Sequence, residues 1–212
     1  MASLGLKPQY GPTLGGLLAP RWRAASRLTR SIVVAIGVGL LAAIVGMVLT
    51  LLDAEYSQGG RVPFSFKYRG LYRTAPEPGG YVRVARNSQG RLQTSYEVAP
   101  LHVASYSGSV TGELPLFASG YERTLARRFP GVRFEGEGKT RISSTLAGYQ
   151  ILYRAQIVGR TMYGRDVMLL PSSARARDGV VIEMLSSEPA SVSKPVASSG
   201  VLERPLKTFA FG

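Results

Sequence analysis

Few residues of this chain could carry covalent chemistry. There is one histidine, His102, and no cysteine. Thiol catalysis, disulfides and His- or Cys-clustered metal sites are therefore excluded by arithmetic. His102 stands between Leu101 and Val103 in a strand-like stretch. A catalytic imidazole needs an orienting partner and a nucleophile, and neither adjoins it, so it reads as a surface or strand-edge residue. Ser143-Ser144 follow Ile142 without flanking glycines, and no Gly-x-Ser-x-Gly elbow occurs in the chain. Gly136-Glu-Gly-Lys-Thr140 has the look of a phosphate loop, but Arg133 occupies the place of its first glycine. Glu135 and Glu137 would also repel a phosphate. In an extended segment those two carboxylates share one face and could pair for acid–base work; solvated charges on an edge strand are the commoner outcome. No catalytic, cofactor-binding or metal-ligating residue is assigned, no cofactor is expected, and the chain reads as non-enzymatic.

Charge and hydropathy say more about organisation. The net charge is +13, from 26 basic and 13 acidic residues. Ahead of Asp53 the chain has Lys7, Arg21, Arg23, Arg27 and Arg30 and no acid at all. The later basic residues are scattered along alternating segments, so nucleic acid is not expected as a partner; attraction to anionic headgroups or polymers is the milder inference. Residues 31–52 are apolar and uncharged, a run of about 33 Å if helical. The expectation is a transmembrane helix over 31–52, with Ile32, Leu40, Leu41, Ile44 and Leu52 as anchor residues. Arg21, Arg23, Arg27 and Arg30 would hold the N-terminus in the cytoplasm. A cleaved signal is the rival, but the best cut, after Ala54, has Leu52 where a small residue is wanted. Ala35, Gly39 and Ala43 recur at four-residue spacing, a face on which another helix could pack.

These features divide the chain into a basic cytoplasmic tail (1–30), the span (31–52), a polar spacer (53–61) and an extracytoplasmic domain (62–212). Within the domain, Val62, Phe64, Phe66 and Tyr68 alternate with polar residues at a strand period. Tyr81 to Arg86 and Arg91 to Val98 flank Asn87-Ser-Gln-Gly90, a hairpin signal. Leu114, Phe117, Tyr121, Leu125 and Phe129 recur at helical steps before Pro130-Gly131. Strands are expected again over 149–157, 161–170 and 180–185, followed by a Pro/Ser-rich stretch at 187–200 and a short helix with an extended end. The order implies an α+β domain, an antiparallel sheet with covering helices.

Ala147-Gly148-Tyr149, the long hairpin after it, Val180-Val-Ile-Glu-Met-Leu185 and the closing Leu206-Lys-Thr-Phe-Ala-Phe211 resemble the PsbP-like family, which includes the extrinsic PsbP proteins of photosystems and the Ran-binding Mog proteins. Val62-Pro63-Phe64 stands where that family opens with a Trp-containing motif. The resemblance implies an α/β/α sandwich with a binding or assembly role, and no functional residue carries over. Tyr and Arg, favoured at protein interfaces, are frequent in the expected strands. The functional expectation is a membrane-anchored extracytoplasmic binding or assembly module, an accessory subunit or adaptor. Its expected partners are membrane lipids and another membrane or envelope protein. A tethered small-molecule or lipid-binding domain is the alternative.

Overall fold

The computed structural model describes residues 26–103, 110–142, 146–171 and 177–212. The chain divides into two compact units, residues 1–51 and 52–212. In the first, one helix is described, α1 (Arg27–Leu51). Its opening turn is tied by Ser31 Oγ donating to the Arg27 carbonyl at 3.1 Å.

The expected transmembrane span is corrected here. Among the described residues no helix is long and apolar enough to cross a membrane. Ile32, Leu40, Leu41 and Ile44 are exposed on α1, and Leu52 is exposed just past its end. Arg27 opens the helix and Arg30 lies in its first turns, while Arg21 and Arg23 fall outside the described residues. Ala35, Gly39 and Ala43 are also exposed on α1, and a Cβ added at Gly39 would meet nothing within 4 Å.

The second unit is built on antiparallel strands. Its small sheet joins β1 (Ala54–Gln58), β2 (Phe64–Tyr68) and the C-terminal β10 (Ala210–Phe211) in the order β1-β2-β10. The presumed spacer 53–61 is therefore mostly strand. The large sheet contains β3 (Tyr72–Thr74), β4 (Val82–Ser88), β5 (Arg91–His102), β6 (Arg133–Arg141), β7 (Ala147–Ile157), β8 (Arg160–Leu169) and β9 (Asp178–Ser186). Its order is β3-β4-β5-β9-β8-β7-β6, with every neighbour antiparallel. Two tight hairpins set the register. Gln89-Gly90 (φ 53° and 74°) joins β4 to β5, and Val158-Gly159 (φ 49° and 72°) joins β7 to β8. Positive φ at both central residues is the turn whose twist suits paired strands.

The central strands bury both faces, which is why Val180-Val181-Ile182 reads as an uninterrupted apolar run. On one face Tyr96, Val98, Val167, Ile182 and Met184 join a core with Phe64, Phe66 and Phe209 of the small-sheet layer. On the other, Ile151, Tyr153, Met162 and Val181 pack with Leu114, Ala118 and Leu125 of α2 (Val110–Arg128). Gly131, with φ 78°, turns the chain away after Arg128.

The expected α+β class with helices on the sheet is corrected as well. The chain is mainly antiparallel β, 45% strand against 23% helix. Among the described residues only one face carries a long helix. The layer on the other face is the small sheet with the C-terminal segment, whose one helix, α3 (Glu203–Lys207), has five residues. On that side Phe64 and Phe66, at alternate positions of β2, point into the shared core, so the covering layer presents a strand face to the large sheet.

Candidate functional site

The residues singled out for chemistry are dispersed. His102 ends β5, its side chain 68% exposed, and its Nδ1 lies 2.7 Å from Asp178 Oδ1 across the β5–β9 ladder. Arg61 reaches the other carboxylate oxygen at 2.8 Å. Asp178 is held below the usual carboxylate range, first by the His102 hydrogen bond. This is a surface ion cluster with no nucleophile in it. Glu135 and Glu137 are separated by a β-bulge between Phe134 and Gly136. Glu137 stays paired with Ile151 beneath α2, whereas Glu135 turns to Arg154 Nε at 3.5 Å. Gly136 to Thr140 is extended strand and precedes no helix, so no phosphate loop forms. Ser143 and Ser144 lie outside the described residues.

What the fold does assemble is a row of acids. Glu97 of β5 faces Glu183 of β9, and Glu183 faces Asp166 of β8, directly across the sheet. All three lie under the C-terminal half of α2. Arg128 binds Glu183 Oε2 at 2.6 Å and also reaches Glu77. Tyr121 donates to Glu183 Oε1 at 2.8 Å, and Tyr153 to Asp166 Oδ1 at 3.2 Å. Glu97 accepts the Glu77 amide at 2.7 Å and meets Arg83 Nε at 3.5 Å. Asp166 is wholly buried and its Oδ2 has no partner. Burial, then the neighbouring Glu183 charge, pushes its carboxyl well up, and burial raises Glu97. The Tyr153 ring seats on Gly164, where a Cβ would come within 2.2 Å of it. Within the row Asp166 is sealed from solvent at 0% exposure, while the Glu183 side chain is 15% exposed. Sequence reading missed it. The available signal was Glu183 and Asp166 interrupting apolar runs in central strands.

Cations collect at the opposite kind of place, the open end of the sheet. Ser186, the last residue of β9, sits between Thr94 of β5 and Tyr163 of β8. The two hairpin turns therefore flank it. A hollow of about 250 Å³ lies between them, lined by Arg91, Gln93, Arg160 and Ser187 among others. A second, of about 180 Å³, shares Gln93 and runs beneath the 187–200 segment past Arg86 and Lys194. Among the described ion pairs, none involves Arg86, Arg91, Arg160 or Lys194. Glu188 is the one carboxylate lining either hollow. At the tip of the β7–β8 turn, Val158 is 97% exposed in a left-handed backbone conformation, which a β-branched residue rarely adopts.

No family model and no curated protein matches this chain. A solved Pseudomonas aeruginosa structure, of a protein of unknown function called PA94, is similar at 13% identity. It covers 63% of this chain and 82% of its own, with a TM-score of 0.31.

Proposed function

We propose that the chain is a non-enzymatic binding and assembly module, and that the hairpin end of its large sheet docks an acidic segment of a protein partner. The observation that carries this is a pair of arginines without ion-pair partners, Arg91 and Arg160, lining the hollow between two hairpin turns, one of which carries the solvent-exposed, backbone-strained Val158. Unpaired arginines beside an exposed apolar tip supply the charge and the contact area that interfaces use. The resemblance of the C-terminal third to PsbP-like proteins supports the same reading, as does the complete burial of Asp166 within the acid row.

The test is a short polyglutamate peptide, labelled and titrated with the purified full chain by fluorescence anisotropy. Binding is expected at low salt, weakening as ionic strength shortens the Debye length to ~10 Å and below. Arg91→Glu with Arg160→Glu is expected to abolish it, and Val158→Gly to weaken it. Equal binding of polyglutamine, or full retention in the double variant, removes the proposal. A second reading, a small-molecule site, is favoured by one specific feature, the hollow beneath residues 187–200.

A further inference from the structure

Arg165 is a cation with no counter-charge inside the domain. It projects from β8 on the small-sheet side and is only 7% exposed. Its guanidinium donates to two neutral acceptors, the Val196 carbonyl at 3.1 Å and Thr140 Oγ1 at 3.2 Å, and its Nε has no partner. All thirteen carboxylate side chains of the sequence lie among the described residues, and none is paired with it. A charge taken out of water without an opposite charge costs several kcal/mol.

The Val196 that Arg165 holds is also a wall of the 180 Å³ hollow. In the same hollow, Thr94 is 5% exposed and its Oγ1 makes no hydrogen bond. A buried hydroxyl of this kind is normally satisfied. Ser186 Oγ accepts the Glu188 amide at 3.0 Å, which leaves its own proton free to donate. Arg86 and Lys194 add two unpaired cations.

We propose that this hollow is a binding site for a phosphate group, free or esterified to a small organic body, held by Lys194, Arg86 and the Thr94 and Ser186 hydroxyls, with Arg165 behind the Val196 wall biasing the site towards anions. Two hydroxyl donors with two cations match an oxyanion that accepts in many directions. Glu188 on the wall opposes this charge, and it provides a test of sign. The proposal goes beyond the docking surface and does not rest on it, since Arg91 and Arg160 line the other hollow.

The test is calorimetric titration of the full chain with inorganic phosphate and, separately, with glycerol phosphate. Saturable binding is expected for at least one, and the tighter of the two assigns the free or the esterified form. Lys194→Gln is expected to weaken it about tenfold, and Glu188→Gln to tighten it about threefold. Thr94→Val is expected to melt no lower than the parent, because Oγ1 makes no bond in the unliganded chain, yet to bind about fivefold more weakly. Arg123→Gln, on the solvent face of α2, is expected to change nothing. Absence of saturable binding by both probes overturns the proposal. So does binding that these substitutions leave unchanged, or that Glu188→Gln weakens. Loss of polyglutamate binding in the Arg91/Arg160 variant bears only on the docking surface.

Discussion

Replacing Asp166 by Asn should make the protein more stable, by a margin that grows with pH. Asp166 is fully buried beside Glu183, and burial holds its carboxyl well above the ordinary carboxylate range. The unfolded chain releases this proton above about pH 4, whereas the folded chain keeps it. The folded state then binds more protons, so stability falls as pH rises until the folded group itself ionises. One retained proton corresponds to about 1.4 kcal/mol per pH unit, or roughly 3 kcal/mol over two units within that window. That is a sizeable share of the ~5–15 kcal/mol typical of a domain. Asn keeps an oxygen for the Tyr153 hydroxyl and places an amide where Oδ2 stands without a partner. It has no proton to retain. Urea unfolding of both proteins from pH 5 to 8 should therefore show near-equal stability at pH 5 and a gap widening in favour of Asp166→Asn. Comparing the two cancels other titrating groups, including Glu97, whose raised carboxyl acts in the same direction, and Asp178, whose lowered one acts only below about pH 4. A gap that stays constant with pH, or a variant less stable throughout, would refute the reasoning.

Three further outcomes follow from the same geometry. Gly164→Ala drives a Cβ to 2.2 Å from the Tyr153 ring and should cost about 3 kcal/mol by overpacking, read as a lower urea midpoint with unchanged slope. Val158→Asn should raise stability by about 1 kcal/mol, because Val158 holds φ 49° while 97% exposed and Asn tolerates that conformation. A loss of stability there would mean that Val158 packs on something within the chain. Arg128→Gln removes the guanidinium from Glu183 and Glu77. With both sides partly exposed the loss should be about 2 kcal/mol at pH 7. It should shrink as added salt screens the pair, and a loss that does not vary with ionic strength would point to packing instead.

Local patterning was legible where one face of an element is wet and the other dry. The alternation of Phe64 and Phe66 with Ser65 and Lys67 marks β2, and the three- and four-residue steps from Leu114 to Leu125 mark α2, because burial on one side imposes the element's own period. The final helix and extended end, α3 and β10, were read for the same reason. The apolar run at 31–52 illustrates the limit of hydropathy: its composition identified a helix, and the described part of α1 does not amount to a span.

Other features depend on which strands become neighbours. Glu97, Asp166 and Glu183 lie up to 86 positions apart in sequence, and only the order β5-β9-β8 brings their carboxyls into one row. The bulge after Phe134 sends Glu135 and Glu137 to different partners, which even alternation cannot foresee. Composition and charge balance were decided by the amino-acid sequence alone. Whether the second layer over the sheet would be helix or strand, and where unpaired cations would gather, was decided by tertiary structure. Burial and charge pairing are properties of neighbours in space, and a linear pattern records only neighbours along the chain.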